Sequence, residues 1–173
     1  HCEPIQTRSG AALDPRFAAL NPRGKIPVLQ DGSFTLTESA AIVTYLFAAY
    51  GAERGFRLPE GPRERARYDE WCFFLMTELD ATSLYVLRRH AGLPHVYGEA
   101  PAAVEAAKAY FQRQIKAVAD VLADGRPWLT GDCFSGSDIL LGGCLQMAQP
   151  HGLPLPDAVA AFRARAATRP AYA

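Results

Sequence analysis

Apolar and polar positions alternate in short runs near the N-terminus and take on helical spacing further along the chain. Two short apolar runs flank Asp31-Gly32, a pattern that predicts a hairpin with a two-residue turn. A helix is predicted to follow from Ser39 to Tyr50 and to end at Gly51. Its predicted buried stripe consists of Ile42, Val43, Leu46 and Phe47.

Beyond residue 62, apolar residues recur at three- and four-residue steps, which is typical of amphipathic helices. The pattern predicts long helices over residues 63–91 and 100–123 and a final helix over 157–167. Residues 52–62 are rich in glycine and proline and are predicted to be a linker. We therefore expect an α+β fold with a small N-terminal domain over residues 1–51 and an all-helical domain over residues 63–173.

Two helix starts carry capping signals. Asp14-Pro15 places an N-cap before a proline at the first helical position. Ser135 and Asp138 have the spacing of a capping box, which predicts the start of a buried helix. Loss of Asp138 is expected to destabilise the fold by about 1 kcal/mol or more. A strand is predicted over residues 2–5 and a polar loop over 7–13.

The charge balance and the lengths of the apolar runs limit the classes of partner that the sequence predicts. The chain has 173 residues, 18 basic and 18 acidic, with a formal net charge of zero. This balance predicts neither nucleic acid nor an acidic membrane as a general partner. No apolar run approaches the roughly 20 residues that span a bilayer. The sequence carries no signal-peptide pattern, which predicts a reducing cytoplasm.

The cysteines and histidines do not form a metal-binding pattern. None of the four cysteines belongs to a CxxC pair, and the four histidines are scattered without i,i+4 spacing. We therefore expect reduced, structural thiols and no metal site.

Glu38 and Ser39 lie at a predicted helix start and could together bind a ligand that carries one negative and one positive charge. The N-terminus of a helix presents free N–H groups and the positive end of its dipole, which suit a carboxylate. Ser39 adds a hydroxyl there, and Glu38 adds a negative charge that suits an ammonium. Together they fit an amino-acid head group. The pair alone also fits an ordinary capped helix start.

A proline directly precedes the first strand. Pro27 cannot donate to a strand ladder and therefore belongs at a strand start or edge. A cis Ile26–Pro27 bond would turn the Ile26 N–H and C=O outward, free to pair with a peptide-like ligand. About one X–Pro bond in twenty is cis.

These segments together resemble the glutathione-binding motif of the glutathione S-transferase family. The motif residues are Asn21-Pro22, Gly24-Lys25-Ile26-Pro27, Leu29, Leu36, Glu38-Ser39 and Ala41-Ile42. A second segment, residues 128–139, resembles the start of a buried helix in the same family. The resemblance implies a thioredoxin-like first domain, here incomplete, and an all-helical second domain.

The resemblance also implies roles for five residues in binding glutathione. Ile26 would pair with the cysteinyl backbone, and Lys25 would reach the glycyl carboxylate. Glu38 and Ser39 would hold the γ-glutamyl head. Glu78 resembles a glutamate of bacterial members that reaches across a dimer to the partner's glutathione, so we expect a homodimer.

The implied activity is transfer of glutathione to a small hydrophobic electrophile, with no metal. The family's thiol-activating Tyr, Ser or Cys follows a first strand that would precede His1 by the length of one βα unit, roughly 30 to 40 residues. Cys2 lies too near Asn21 for that position, so no catalytic residue is predicted.

The electrophile pocket is expected to differ from that of the bacterial members. Asp80 and Ala81 stand where those members carry a histidine and a lysine. Four aromatic or apolar residues of the same helix would either line this pocket or belong to the core: Trp71, Phe74, Leu75 and Tyr85.

Two other functions fit the same motifs. A non-catalytic relative would serve as a binding module, but such proteins often lose the Glu-Ser pair, which this chain keeps. A glutathione-dependent isomerase or dehalogenase would share the glutathione site and differ only in its second-substrate pocket.

Overall fold

The computed structural model describes residues 1–5 and 14–172. The predicted loop over 7–13 lies outside the described residues. The predicted strand over residues 2–5 is wrong, because residues 1–5 form no regular element. A strand needs a neighbour for its backbone N–H and C=O groups, and the sheet of the described residues consists of one hairpin.

The N-terminal part contains a short helix and this hairpin. Helix α1 covers Pro15–Leu20, and Asp14 caps it as predicted, its Oδ1 accepting from the Arg16 N–H at 2.8 Å. Strands β1 (Val28–Asp31) and β2 (Phe34–Thr37) pair antiparallel.

The hairpin turn lies one residue later than predicted. Asp31 pairs with Phe34, so the two-residue loop is Gly32-Ser33 rather than Asp31-Gly32. Gly32 has φ +58°, a conformation that favours glycine. Asp31 instead accepts hydrogen bonds from the hydroxyls of Tyr45, at 2.6 Å, and Tyr50.

Helix α2 covers Ser39–Tyr50, with the predicted bounds, and Gly51 follows it. Ile42 and Phe47 are buried as predicted, but Leu46 is 36% exposed. Ala40 and Val43 of this helix pack against the core of the C-terminal helices, and Phe47 packs on Phe56. This stripe is rotated about the helix axis from the predicted one and leaves Leu46 at its margin.

The predicted helix over 63–91 is one continuous helical run with two unpredicted wide-turn segments. Helix α3 covers Pro62–Phe74, and a π-helical segment, Leu75–Leu84, continues it. A short α-helical turn, α4 (Tyr85–Leu87), and a second π-helical segment, Arg88–Gly92, complete the run. In a π-helix each N–H bonds to the carbonyl five residues back, as the Tyr85 N–H does to Asp80.

The remaining helices are α5 (Pro94–Tyr97), α6 (Pro101–Leu122), α7 (Gly136–Ala148) and α8 (Asp157–Ala167). Short 3₁₀ turns cover Ala52–Arg54, Gln149–His151 and Pro170–Tyr172. The first π-helical segment, Leu75–Leu84, packs between α6 and α7 and forms the centre of the core. Fully buried core side chains include Tyr68, Leu75, Leu79, Phe111, Ile115, Leu141 and Phe162. The division into two domains at residues 52–62 stays a prediction.

The predicted capping box at the start of α7 is confirmed. Asp138 is buried and accepts from the Ser135 N–H at 2.8 Å and from the Ser135 hydroxyl at 2.9 Å. It also accepts from the Leu129 N–H at 2.9 Å, which ties the preceding loop to the helix.

Helix α2 meets the bundle at a tight contact around Gly136. The Thr44 hydroxyl and the Tyr68 hydroxyl are hydrogen-bonded at 2.9 Å. A Cβ at Gly136 would overlap the Tyr68 hydroxyl oxygen and lie 3.2 Å from Val43 Cγ2. The absence of a side chain at Gly136 therefore lets α2 and α7 approach.

Gly136→Ala is expected to destabilise the protein by about 1–3 kcal/mol, because the added Cβ would overlap the hydroxyl of the fully buried Tyr68. Urea unfolding measures this change. Gly143→Ala, in the same helix with open space around its Cβ position, is the control. It should be neutral or stabilise the helix by about 0.5–1 kcal/mol. Equal stability of both variants would contradict the tight contact.

None of the helices in the described part is long and apolar enough to cross a membrane. Within residues 1–5 and 14–172, no cluster of three or more His, Cys, Asp or Glu side chains has an arrangement that could hold a metal ion.

Candidate functional site

A cleft of about 390 Å³ separates the hairpin and the start of α2 from the first π-helical segment and the turns that follow it. One wall comes from the chain before β1 and from the junction of β2 and α2. Its residues are Asn21, Arg23, Lys25, Ile26, Pro27, Thr37, Glu38 and Ser39. The opposite wall consists of Met76, Asp80, Ala81, Tyr85 and Arg89.

The loop before β1 is held by a buried asparagine. Asn21 Nδ2 donates to the Lys25 carbonyl at 2.7 Å, and Asn21 Oδ1 accepts from the Arg23 N–H at 3.2 Å. The Ile26–Pro27 bond is cis, and Ile26 is 50% exposed at the cleft. The asparagine thus fixes the turn that presents Lys25 and Ile26 to the cleft.

Glu38 has an unusual backbone conformation. Its φ of +73° lies in the left-handed region, which costs a residue with a side chain on the order of 1–3 kcal/mol. Its carbonyl accepts from the Ile42 N–H at 2.9 Å, the first hydrogen bond of α2. Such strain clusters at functional sites, and here it turns Glu38 and Ser39 together into the cleft.

Arg23 orients the Glu38 carboxylate. Arg23 Nη1 lies 2.8 Å from Glu38 Oε1, and Arg23 Nη2 donates to Thr37 Oγ1 at 2.8 Å. Both partners of this ion pair are more than half exposed, so the pair adds little stability. Its effect is positional, since it holds the carboxylate beside the start of α2.

The two walls meet through Lys25 and Tyr85. Lys25 Nζ donates to the Tyr85 hydroxyl at 2.6 Å, across 60 residues of sequence. This hydrogen bond lowers the pKa of Tyr85, and the nearby charge of Arg89 acts in the same direction. The hydroxyl of Tyr85 accepts from the lysine and keeps its own hydrogen to donate.

The opposite wall follows the wide turns of its helix. Its residues Met76, Asp80, Tyr85 and Arg89 recur every four to five positions, which is wider than the α-helical repeat. Burial raises the pKa of the Asp80 carboxyl, while the charge of Arg88 acts against that rise. The π-helical turns therefore place two charged residues and a tyrosine in one row.

A second cavity, of about 250 Å³, lies between α2 and α7 and is mainly apolar. Arg169 and Phe134 both line this cavity, and the Arg169 guanidinium lies 3.8 Å from the centroid of the Phe134 ring. Asp138, the acidic residue in its lining, is engaged in the capping box. Of these two cavities, the first cleft has the larger number of charged and polar side chains.

Comparison with known proteins identifies the family. Residues 2–54 match the family model of the glutathione S-transferase N-terminal domain. The chain is 30% identical to the theta class glutathione S-transferase of Xanthomonas axonopodis pv. citri, whose structure contains bound glutathione. The alignment covers 93% of this chain and 76% of that protein, with a TM-score of 0.76. The chain belongs to the glutathione S-transferase family.

Other members of the family agree with this assignment. A glutathione S-transferase domain-containing protein of Marinobacter aquaeolei VT8 matches with a TM-score of 0.82 and 26% identity over 99% of this chain and 85% of that one. Human glutathione S-transferase theta-1 is 33% identical over 133 residues, which are 76% of this chain and 55% of the human protein. The chain therefore spans about half the length of the curated transferases it matches.

The structure brings four of the five predicted glutathione residues together. Lys25, Ile26, Glu38 and Ser39 all line the cleft. Glu78 is not among its lining residues, and its carboxylate accepts hydrogen bonds from the Tyr110 hydroxyl and from Thr77 Oγ1. Its role in a transferase dimer stays a prediction.

The four candidates for the electrophile pocket separate into two groups. Trp71 and Leu75 are buried in the core, and Phe74 packs edge-to-face on Trp71. Tyr85 lines the cleft. Sequence reasoning missed Arg23 and Arg89, and it treated Asp80 only as a departure from other transferases. Asp80 and Arg89 lie on the same helix face as Tyr85 only because the π-helical turns are wider than α-helical ones, and α-helical spacing does not predict this.

Proposed function

We propose that the protein is a glutathione S-transferase that binds glutathione in this cleft and transfers its thiolate to a small electrophile. The observation that supports this most is the convergence of Lys25, Ile26, Glu38 and Ser39 on one cleft, at a strained helix start. These residues come from separate positions of the motif, and their chemistry matches the distinct parts of one tripeptide.

Each part of glutathione has a matching group. The Ser39 hydroxyl and the N–H groups at the start of α2 suit the γ-glutamyl carboxylate, and Glu38 suits the ammonium on the same carbon. The backbone of Ile26 suits the cysteinyl unit, and Lys25 Nζ suits the glycyl carboxylate. Arg23 holds Glu38 in place before the ligand arrives. This preorganisation reduces the ordering cost of binding.

The chemistry depends on the ionised thiol. A free thiol has a pKa near 8.5, so that its thiolate is a minor species at neutral pH. Bound thiolate attacks the electrophilic carbon of the second substrate, forms a carbon–sulfur bond and displaces a leaving group or adds to a double bond. The opposite wall, from Met76 to Arg89, faces the space where that substrate would lie.

Spectrophotometric assays of the purified protein with glutathione and either chlorodinitrobenzene or ethacrynic acid test the transferase function. Enzyme-dependent conjugation is the expected result. Glutathione binding without conjugation of any electrophile would instead support the non-catalytic relative, and the absence of both would contradict the proposed function.

A glutathione-dependent isomerase or dehalogenase is the second candidate, and the polar side chains of the opposite wall favour it. Asp80 and Arg89 place two charged side chains on the wall that would face the second substrate, which suits a polar or charged substrate. Turnover of a cis-enone acid in preference to chlorodinitrobenzene would identify the isomerase. The proposed location of either enzyme is the cytoplasm.

We further propose a homodimer in which Glu78 contacts the glutathione of the partner subunit. Phe73 is 70% exposed one turn before Glu78, and an exposed aromatic side chain is typical of a protein contact. Thr77, also exposed, lies between them and bonds both the Phe73 carbonyl and the Glu78 carboxylate.

Glu78→Ala is expected to weaken glutathione binding by about tenfold, through the loss of a charge-assisted hydrogen bond. Calorimetry measures the affinity, and sedimentation measures the oligomeric state. Glu70→Ala is the control, because Glu70 forms a surface ion pair with Arg67. A monomeric protein, or equal affinity in both variants, would remove this role of Glu78.

A further inference from the structure

Two buried polar atoms of the described residues have no hydrogen-bond partner, and both belong to the cleft. They are Asp80 Oδ1 and Arg89 Nε. Buried polar atoms in folded proteins almost always have a partner, so each exception requires an explanation. Both residues lie on the wall that faces the glutathione residues, and of the two only Arg89 can donate to an anionic ligand at this wall.

Arg89 is held by aromatic rings rather than by an acid. Its guanidinium carbon lies 4.6 Å from the centroid of the Tyr85 ring and 5.1 Å from that of Tyr97. No carboxylate of the described residues forms an ion pair with it. Arg89 Nε is buried, so the stacking fixes the plane of the guanidinium and leaves its terminal N–H groups for a planar anion.

The charged side chains of the cleft leave an excess of positive charge at Lys25 and Arg89. Glu38 is paired with Arg23, and the charge of Arg88 acts on Asp80. Lys25 and Arg89 remain without an acidic partner among the described residues. Glutathione is proposed to use Lys25 for its glycyl carboxylate, so Arg89 is left for the second substrate.

Tyr85 provides a second donor beside Arg89. Its hydroxyl accepts from Lys25 Nζ at 2.6 Å, so its own hydrogen can point to a ligand. A phenol O–H and a guanidinium side by side match the two oxygens of a carboxylate.

We infer that the second substrate of this cleft is an electrophile that carries a carboxylate, bound by the Arg89 guanidinium and the Tyr85 hydroxyl. This inference rests on the proposed function and replaces the purely hydrophobic electrophile predicted from the sequence. Arg89 is then the residue that determines specificity, since it distinguishes an acid from its neutral ester.

Calorimetry with two glutathione conjugates tests the inference without requiring turnover. The ligands are the glutathione conjugates of ethacrynic acid and of its methyl ester, which differ in one negative charge. Unmodified protein is expected to bind the acid conjugate at least about tenfold more tightly. In Arg89→Gln that preference should fall below about twofold, with the affinity for the ester conjugate and for glutathione nearly unchanged.

Arg54→Gln is the matched control, because it removes the same charge from an exposed residue that is not among those lining the cleft. It should retain the preference for the acid. Tyr85→Phe should reduce the preference in part, and thermal melting checks that each variant is folded. Equal binding of the two conjugates by unmodified protein, or an equal loss in Arg54→Gln and Arg89→Gln, would overturn the inference.

The affinity for glutathione alone separates the two proposals. If glutathione binds and the protein does not distinguish the conjugates, the inference fails and the transferase function stands. If Arg89→Gln weakens glutathione itself as much as the acid conjugate, Arg89 serves the tripeptide and the inference fails. If neither glutathione nor either conjugate binds, both proposals fail.

Discussion

Ser39→Ala and Glu38→Ala are each expected to weaken glutathione binding by about 10- to 100-fold, as measured by calorimetry. A hydrogen bond to a charged group contributes about 1.5–3 kcal/mol, and each 1.4 kcal/mol is a factor of ten in affinity. Ser39 would lose its bond to the γ-glutamyl carboxylate, and Glu38 its contact with the ammonium. Both side chains lie in the cleft, outside the buried core.

These losses are expected without a comparable loss of stability. The Glu38 side chain is 67% exposed, and its pair with Arg23 lies at the surface. Ser33→Ala is the matched control, because Ser33 is an exposed serine in the hairpin turn. Its affinity for glutathione should equal that of the unmodified protein. Unchanged affinity in the Ser39 and Glu38 variants would show that glutathione does not bind there.

Asp138→Ala is expected to destabilise the fold by about 3 kcal/mol, which is more than the sequence indicates. The sequence identifies one cap, whereas the structure adds the Leu129 N–H as a further donor. Removing the carboxylate leaves the buried N–H groups of Leu129 and Ser135 without acceptors, at about 1–3 kcal/mol each.

Thermal melting measures this effect. For a chain of this size, about 3 kcal/mol corresponds to a decrease in melting temperature of roughly 6–12 °C. Asp132→Ala, at an exposed aspartate in the same loop, is the control and should melt within about 1–2 °C of the unmodified protein. A similar small change in Asp138→Ala would mean that water replaces the lost acceptor.

Local sequence signals predicted the parts of the fold that depend on neighbouring residues. Helix α2, α8 and the capping box have their predicted positions, because caps, glycine stops and apolar stripes act within a few residues. The hairpin was also predicted, with its turn one residue early. The pairing of Asp31 with Phe34 depends on contacts with Tyr45 and Tyr50, which lie on α2.

The candidate site was predictable on one wall only. The motif from Asn21 to Ser39 is continuous in sequence, so its residues could be assigned together. The contact of Lys25 with Tyr85 spans 60 residues and depends on how the helices pack. The row that includes Asp80 and Arg89 follows π-helical turns, which a search for α-helical spacing does not detect.

Binding of glutathione and of cysteinylglycine, compared by calorimetry on the unmodified protein, tests the central claim most directly. The two ligands share the thiol and the glycyl carboxylate and differ in the γ-glutamyl head, which Glu38 and Ser39 are proposed to hold. Glutathione is expected to bind at least about 100-fold more tightly, because cysteinylglycine lacks the two groups that would make charge-assisted contacts with Glu38 and Ser39. Equal affinities, or no binding of either ligand, would contradict a glutathione site at the start of α2.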